Sequence, residues 1–259
     1  ITDEALRKTL HLSVQEEENL AKEWYNWTGH IENQEKQITI GMIGKYTILR
    51  DAYASINKAI EHASIELNAN IKIRWIETTD IENNKINIKD KFKDIDGVIV
   101  LPGFGKRGTE GKIDCLKYVR EHDIPFLGVC YGMQMAIIEF ARNVCGLKDA
   151  NSTEIEPDTK HPVIDILPEQ KKIESLGGNM RLGGHEVLIK KGTKAFSLYS
   201  NKELVRERFR HRYEVNPKYI STLEKHGLVF SGKHPEYNIM QVMELPDKRF
   251  YVASQFHPE

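Results

Sequence analysis

Two short runs of this chain carry no charged side chain: Gly97-Val-Ile-Val-Leu-Pro-Gly103 and Ile124-Pro-Phe-Leu-Gly-Val-Cys130. A strand with one solvated face alternates apolar and polar residues. A strand covered on both faces reads as a continuous apolar run, as these do. Strand-like segments at residues 38–44 and 71–77 flank a helical pattern over residues 50–67. There Ala52, Ile56, Ala59, Ile60 and Ala63 recur at i, i+4, i+7, i+8 and i+11. A helix is expected near Lys112–Glu121, and another over residues 131–146, stopped at Gly146. Strand–helix–strand repetition with doubly covered strands predicts an α/β fold: a central, mostly parallel sheet with helices on both faces. After Gly146 the chain is richer in turns. Residues 161–167, 185–192, 228–234, 239–245 and 250–257 read as strands, several of them antiparallel, with a short helix over 216–227.

Residues 1–37 have a different texture. They are mostly polar, with helical spacing through Leu10, Leu12, Leu20 and Trp24 and no strand-like run. The expectation is a helical linker, held to a surface by Trp24, Tyr25 and Trp27, leading into a compact domain over residues 38–259.

Composition excludes some functions. The 259 residues are 40% apolar, enough for a core, and carry a formal charge of −1 with no basic block. That is not the electrostatic footprint of a nucleic-acid-binding protein. No apolar run is long enough to span a bilayer. No basic-plus-apolar leader pattern opens the chain, which makes a cytoplasmic location the expectation. The three cysteines, Cys115, Cys130 and Cys145, fit no zinc spacing and read as free thiols.

Cys130 differs from the other two. It lies between Gly128 and Gly132, where a buried strand gives way to a helix. Such a corner needs small residues two positions to either side and turns its central side chain outward, toward solvent at the C-terminal edge of the sheet. The helix N-terminus favours a thiolate, and the N–H of Tyr131 is aimed where an oxyanion forms. A thiol nucleophile also needs a proton acceptor. The strand-like run Phe250–Phe256 delivers His257 to the same edge. Pro258 then turns the chain, so that Glu259 can hold the imidazole tautomer. Singly, a cysteine between glycines is more often a packed residue and a lone histidine a solvated one; together they make a nucleophile and base. Cys115 and Cys145 lie in helical patterns without flanking glycines, and the other nine histidines have no comparable setting.

"GVCYGMQ" with "FHPE" far downstream resembles the class I (triad) glutamine amidotransferases. "GKYTILRDAY", "LPGFGKRGTEGK", "NSTE", "LGGNMRLG" and "RHRYEVN", in this order, are similar to the glutaminase domains of CTP synthases. This resemblance covers about residues 38–259. It implies a flavodoxin-like amidotransferase fold and hydrolysis of L-glutamine through a cysteine thioester. Cys130, His257 and Glu259 would form the triad, and Gly103 and Tyr131 the oxyanion hole. Gly103, Tyr131, Gly132, Met133, Gln134, Glu154 and Arg212 would bind glutamine, with Glu154 on its ammonium and Arg212 on its carboxylate. Lys45, Phe104, Arg107 and Arg181 would contact GTP, an activator in that family. No cofactor or metal is implied for this stretch. ATP, magnesium and UTP would belong to a separate synthetase domain, which residues 1–37 would join, and no phosphate loop of that kind occurs in this chain. The whole enzyme would be a tetramer, and this stretch alone a monomer.

Two positions depart from the family pattern. Pro102-Gly103-Phe104-Gly105 is one glycine shorter than the usual loop, so either the preceding strand absorbs the change or the oxyanion N–H moves. Tyr131 replaces a leucine, and its hydroxyl is expected to narrow the pocket. The alternatives are the glutaminase of another pathway, such as GMP or anthranilate synthesis, and a non-catalytic module that keeps the fold.

Overall fold

The computed structural model describes residues 36–47, 49–167 and 180–259, with isolated positions 9, 22, 24, 25 and 29. Most of the expected linker, including Leu10, Leu12, Leu20 and Trp27, lies outside the described residues. Trp24 and Tyr25 are largely exposed.

Contacts divide the chain into two compact units: Ile1–Ile38 with Tyr53–Lys72 and Glu259, and Thr39–Ala52 with Ile73–Pro258. In the first, helix α1 (Ala54–Glu66) buries Ile56 and Ile65. This is the helix expected from the spacing of Ile56, Ala59, Ile60 and Ala63.

The large sheet contains β1 (Lys36–Gly44), β2 (Ala69–Glu77), β3 (Gly97–Val100), β4 (Phe126–Val129), β7 (Arg181–Ile189), β8 (Leu204–His211), β10 (Val229–Lys233), β11 (Met240–Glu244) and β12 (Tyr251–Ser254). Their order is β2-β1-β3-β4-β12-β11-β10-β7-β8. β1, β3, β4 and β12 run parallel, while β12, β11, β10, β7 and β8 pair antiparallel in turn. The sheet is thus mixed, with the antiparallel half supplied by the C-terminal strands as expected. A smaller sheet joins β5 (Ala150–Ser152), β6 (His161–Asp165) and β9 (Glu214–Val215).

Successive strand residues face opposite sides of a sheet. Tyr251, Ala253 and Met243 belong to one apolar cluster, whereas Val252 and Val242 belong to a second. The sheet is therefore buried on both faces at β11 and β12. The first cluster holds α4 (Thr109–Glu121) and α5 (Tyr131–Asn143), together with Ile81 of α2 (Thr78–Glu82) and Phe92 of α3 (Ile88–Phe92). The second takes Ala195 of α6 (Lys194–Leu198). The last helix, α7 (Pro217–Lys225), starts on Asn216, whose side chain accepts from the Lys218 N–H. α5 ends before Gly146, whose φ of 74° lets the Leu147 N–H return to the Ala141 carbonyl at 2.9 Å.

Two ion pairs join α4 to α5: Arg142 with the half-exposed Glu110 at 2.7 Å, and a buried pair between Arg120 and Glu139. Glu139 is fully buried and takes Arg120 through Nε at 2.9 Å and Nη2 at 2.8 Å. Removing one partner strands a buried charge. Arg120→Met is expected to lose about 3–5 kcal/mol in urea unfolding, and Arg120→Met with Glu139→Leu to recover most of it.

Candidate active site

Cys130 terminates β4 at φ 54°, ψ −101°, a conformation most side chains avoid. Its flanking glycines are fixed by space. A Cβ on Gly128 would lie 2.7 Å from that of Ala253, and one on Gly132 would lie 2.3 Å from the Val100 carbonyl oxygen. Strand β3 and helix α5 touch through that glycine, and the corner bends as sharply as the Gly-x-Cys-x-Gly spacing requires.

The thiol faces inward rather than out to solvent. Cys130 is 2% exposed and lines a cavity of about 370 Å³. The β7–β8 half of the sheet roofs the corner: the Arg210 carbonyl lies 3.9 Å from Sγ. Gln255 brings its amide nitrogen to 3.6 Å from the same sulfur. Sequence reasoning missed Gln255; its place two residues before His257 is the only signal it gave.

β12 runs alongside β4 in register, Ala253 opposite Gly128 and Ser254 opposite Val129. The Cys130 N–H donates to the Ser254 carbonyl at 2.7 Å. The strand ends at Ser254, short of the expected Phe256, because Gln255 turns to bond the Gln241 carbonyl. His257 is then caught by β8: its N–H donates to the Arg208 carbonyl at 2.9 Å. Arg208 holds the histidine and Arg210 approaches the thiol, two residues and roughly 7 Å apart along one strand. The two distant sequence segments therefore meet at one edge. Glu259 belongs to the other compact unit, where Ser55 Oγ donates to its carboxylate at 3.2 Å.

Gly103, Tyr131, Gln134, Glu154 and Arg212 line the cavity with Cys130, as does Phe104. Gly132 and Met133 do not: the first packs on β3 and the second is fully buried in the core of α5. Gln134 donates its amide to the Tyr213 carbonyl and to Gln255 Oε1, leaving its own buried Oε1 without a partner among the described residues. Glu154 follows β5 and accepts from the Gly105 N–H at 2.6 Å. Burial raises its pKa, opposed by that bond, by Lys45 and by Arg212. His211 also lines the cavity. It is 1% exposed, with Nε2 at 2.8 Å from Glu214, and sequence reasoning had left it aside.

The Pro102–Gly105 loop is braced from beneath. β3 keeps an unbroken register with β1 and β4 through Val100, so the missing glycine is taken up after the strand rather than within it. Lys45, 4% exposed, donates to the Phe104 and Gly105 carbonyls. The Tyr131 hydroxyl donates to the Gly105 carbonyl at 2.9 Å, tying the loop to the Cys130 corner. Of the four residues expected to meet an effector, Lys45 and Arg181 are engaged internally, the latter with Glu214 at 2.9 Å. Phe104 and Arg107 are exposed, although Arg107 also donates to the Lys45 carbonyl at 3.0 Å. Cys115 is fully buried, its thiol pushed well up by desolvation, and Cys145 is pushed up to about 11 by the same cause. None of the three cysteines forms a disulfide.

A buried thiol at a strained corner, backbone N–H groups beside it, and a carboxylate and a guanidinium on the walls suit a small zwitterion bearing a carbonyl. Relatives point the same way. Residues 48–259 match the family model described as glutamine amidotransferase class-I. The CTP synthase of Pyrococcus furiosus is 50% identical over 97% of this chain, and that of Sulfurisphaera tokodaii 52% identical over 92%. The chain spans about half the length of these relatives, 46% and 44%. A solved structure, the glutaminase domain of Trypanosoma brucei CTPS with bound acivicin, superposes with a TM-score of 0.79 at 37% identity, covering 85% of this chain and 86% of that one. A fold, a cysteine corner and a cavity that agree with these matches over most of the sequence place the chain in the class-I glutamine amidotransferase family, among the glutaminase domains of CTP synthases.

Proposed function

We propose that this chain hydrolyses L-glutamine to glutamate and ammonia, with Cys130 as nucleophile. The carrying observation is Cys130 itself, a non-glycine residue at φ 54° on the wall of a cavity that also presents Glu154 and Arg212. Glu154 receives the α-ammonium and Arg212 the α-carboxylate, which sets the side-chain amide over the thiol. The thiolate attacks the γ-carbonyl, and the N–H groups of Gly103 and Tyr131 hold the oxyanion. His257, with Glu259 as its orienting carboxylate, protonates the departing ammonia and then draws a proton from water to hydrolyse the thioester.

In the whole protein, ammonia aminates UTP to CTP at the expense of ATP with magnesium, on a synthetase domain joined through residues 1–37, in a cytoplasmic tetramer. Among the described residues no helix is long and apolar enough to cross a membrane. GTP activates through Phe104 and Arg107, the two exposed members of the expected effector set.

Acivicin, a glutamine analogue that alkylates thiols, tests the reading. One equivalent bound at Cys130, with loss of ammonia release, supports it. Labelling confined to Cys115 or Cys145, or no labelling, refutes it. Glu154→Ala is expected to raise the KM for glutamine by about tenfold or more, the loss of one charge-assisted bond. Because Glu154 also holds Gly105, kcat should fall with it; steady-state kinetics on the purified chain separate the two.

A further inference from the structure

Lys112 is buried in α4, 1% exposed, and forms no ion pair among the described residues. Its Nζ donates to the Leu101 carbonyl at 2.8 Å and lies 5.0 Å from the centre of the Tyr131 ring. It lies 3.9 Å from where a side chain on Gly103 would begin. The ammonium therefore lies beside the Tyr131 ring and close to Gly103, the two residues proposed to supply the oxyanion donors. A buried cation without an anion is costly, and apolar replacements of such groups are often neutral or stabilising. Among the described residues no carboxylate pairs with this one, and Glu77 favours it only from a distance. The negative charge that would offset it arises during the reaction, on the Cys130 sulfur and then on the substrate oxygen.

We propose that Lys112 is a positioning residue for the nucleophile: its ammonium favours the Cys130 thiolate and the oxyanion that follows. This rests on Cys130 being the nucleophile. The groups facing it are Lys45 from the end of β1, Glu77 from the end of β2, Cys115 on its own helix, and Cys130 with the Tyr131 ring at the corner. Burial first, and then repulsion by Lys45, bring the Lys112 ammonium down to about 7, while Cys130 draws it up. Burial keeps Cys115 a neutral thiol, which leaves Cys130 and, more weakly, Glu77 as the groups that favour the ammonium.

The test is the pH dependence of Cys130 alkylation by iodoacetamide, quantified by peptide mapping, in the purified chain and in Lys112→Met and Lys112→Gln. Gln retains a donor for Leu101 but carries no charge. In both variants the alkylation profile should move up by about one pH unit, about tenfold slower labelling on its acid limb. Glutamine turnover should fall about tenfold in kcat with KM within about twofold. An unchanged profile overturns the proposal, as does Gln matching the parent while Met does not, since Lys112 would then act only as a donor to the loop. If either variant fails to melt cooperatively, the other decides. A parent whose Cys130 labels only when unfolded removes the nucleophile reading itself, and this proposal with it.

Discussion

Cys130→Ala is expected to lower ammonia release from glutamine by about 10⁴-fold or more, to background, because members of a nucleophile–base unit act together and their loss is not graded. Cys130→Gly should be equally inactive, but its stability should respond differently. A non-glycine residue at φ 54°, ψ −101° carries strain of order 1–3 kcal/mol. Glycine adopts that conformation freely. The strain released offsets the contacts that a residue 2% exposed gives up. Cys130→Gly should therefore melt no lower than the parent, while Cys130→Ala keeps the strain and should melt below Cys130→Gly. Calorimetry beside an ammonia assay reads both. A glycine variant that retains turnover would remove the nucleophile, and one that melts well below alanine would remove the strain.

Gly132→Ala is the second large effect. In an exposed helix this exchange stabilises by about 1 kcal/mol. Here the new methyl would meet the Val100 carbonyl oxygen at 2.3 Å, and backbone cannot rotate out of the way as a side chain can. Separating β3 from α5 should cost about 3 kcal/mol. The displacement falls on the first turn of α5, which carries the Tyr131 N–H, one residue from the sulfur. A misplacement of about 1 Å there is enough for a loss of about 10²-fold in turnover. Urea unfolding and kcat on the same sample should fall together; a variant of parental stability and activity would show that the corner yields.

The corner was legible because its constraint is local. Two apolar runs, a Gly-x-Cys-x-Gly spacing and a strand before His257 required no tertiary information, and the parallel β3-β4-β12 core followed. β8 was not read as a strand. Arg206, Arg208 and Arg210 alternate with Val205, Glu207, Phe209 and His211, a period of two that polar residues on both faces disguise. Yet its carbonyls receive His257 and approach the thiol. The inward thiol was also misjudged, since sequence at the corner says nothing of the strand that arrives to cover it. Lys45 and Lys112 were beyond reach for another reason: lysine is almost always a surface residue. Only the carbonyls of a loop folded over them reveal two ammonium groups indoors.

β12 fills the middle of the sheet, between β4 and β11, although β5 to β11 all precede it in the chain. During synthesis the strand that leads into Cys130 therefore leaves the ribosome long before its neighbour does. Until that neighbour docks, the Cys130 N–H lacks the Ser254 carbonyl and β4 is an open edge. Closing so distant a pair is slow, and both the middle of the sheet and the Cys130 corner depend on it. A half-made chain therefore lacks a finished Cys130 corner.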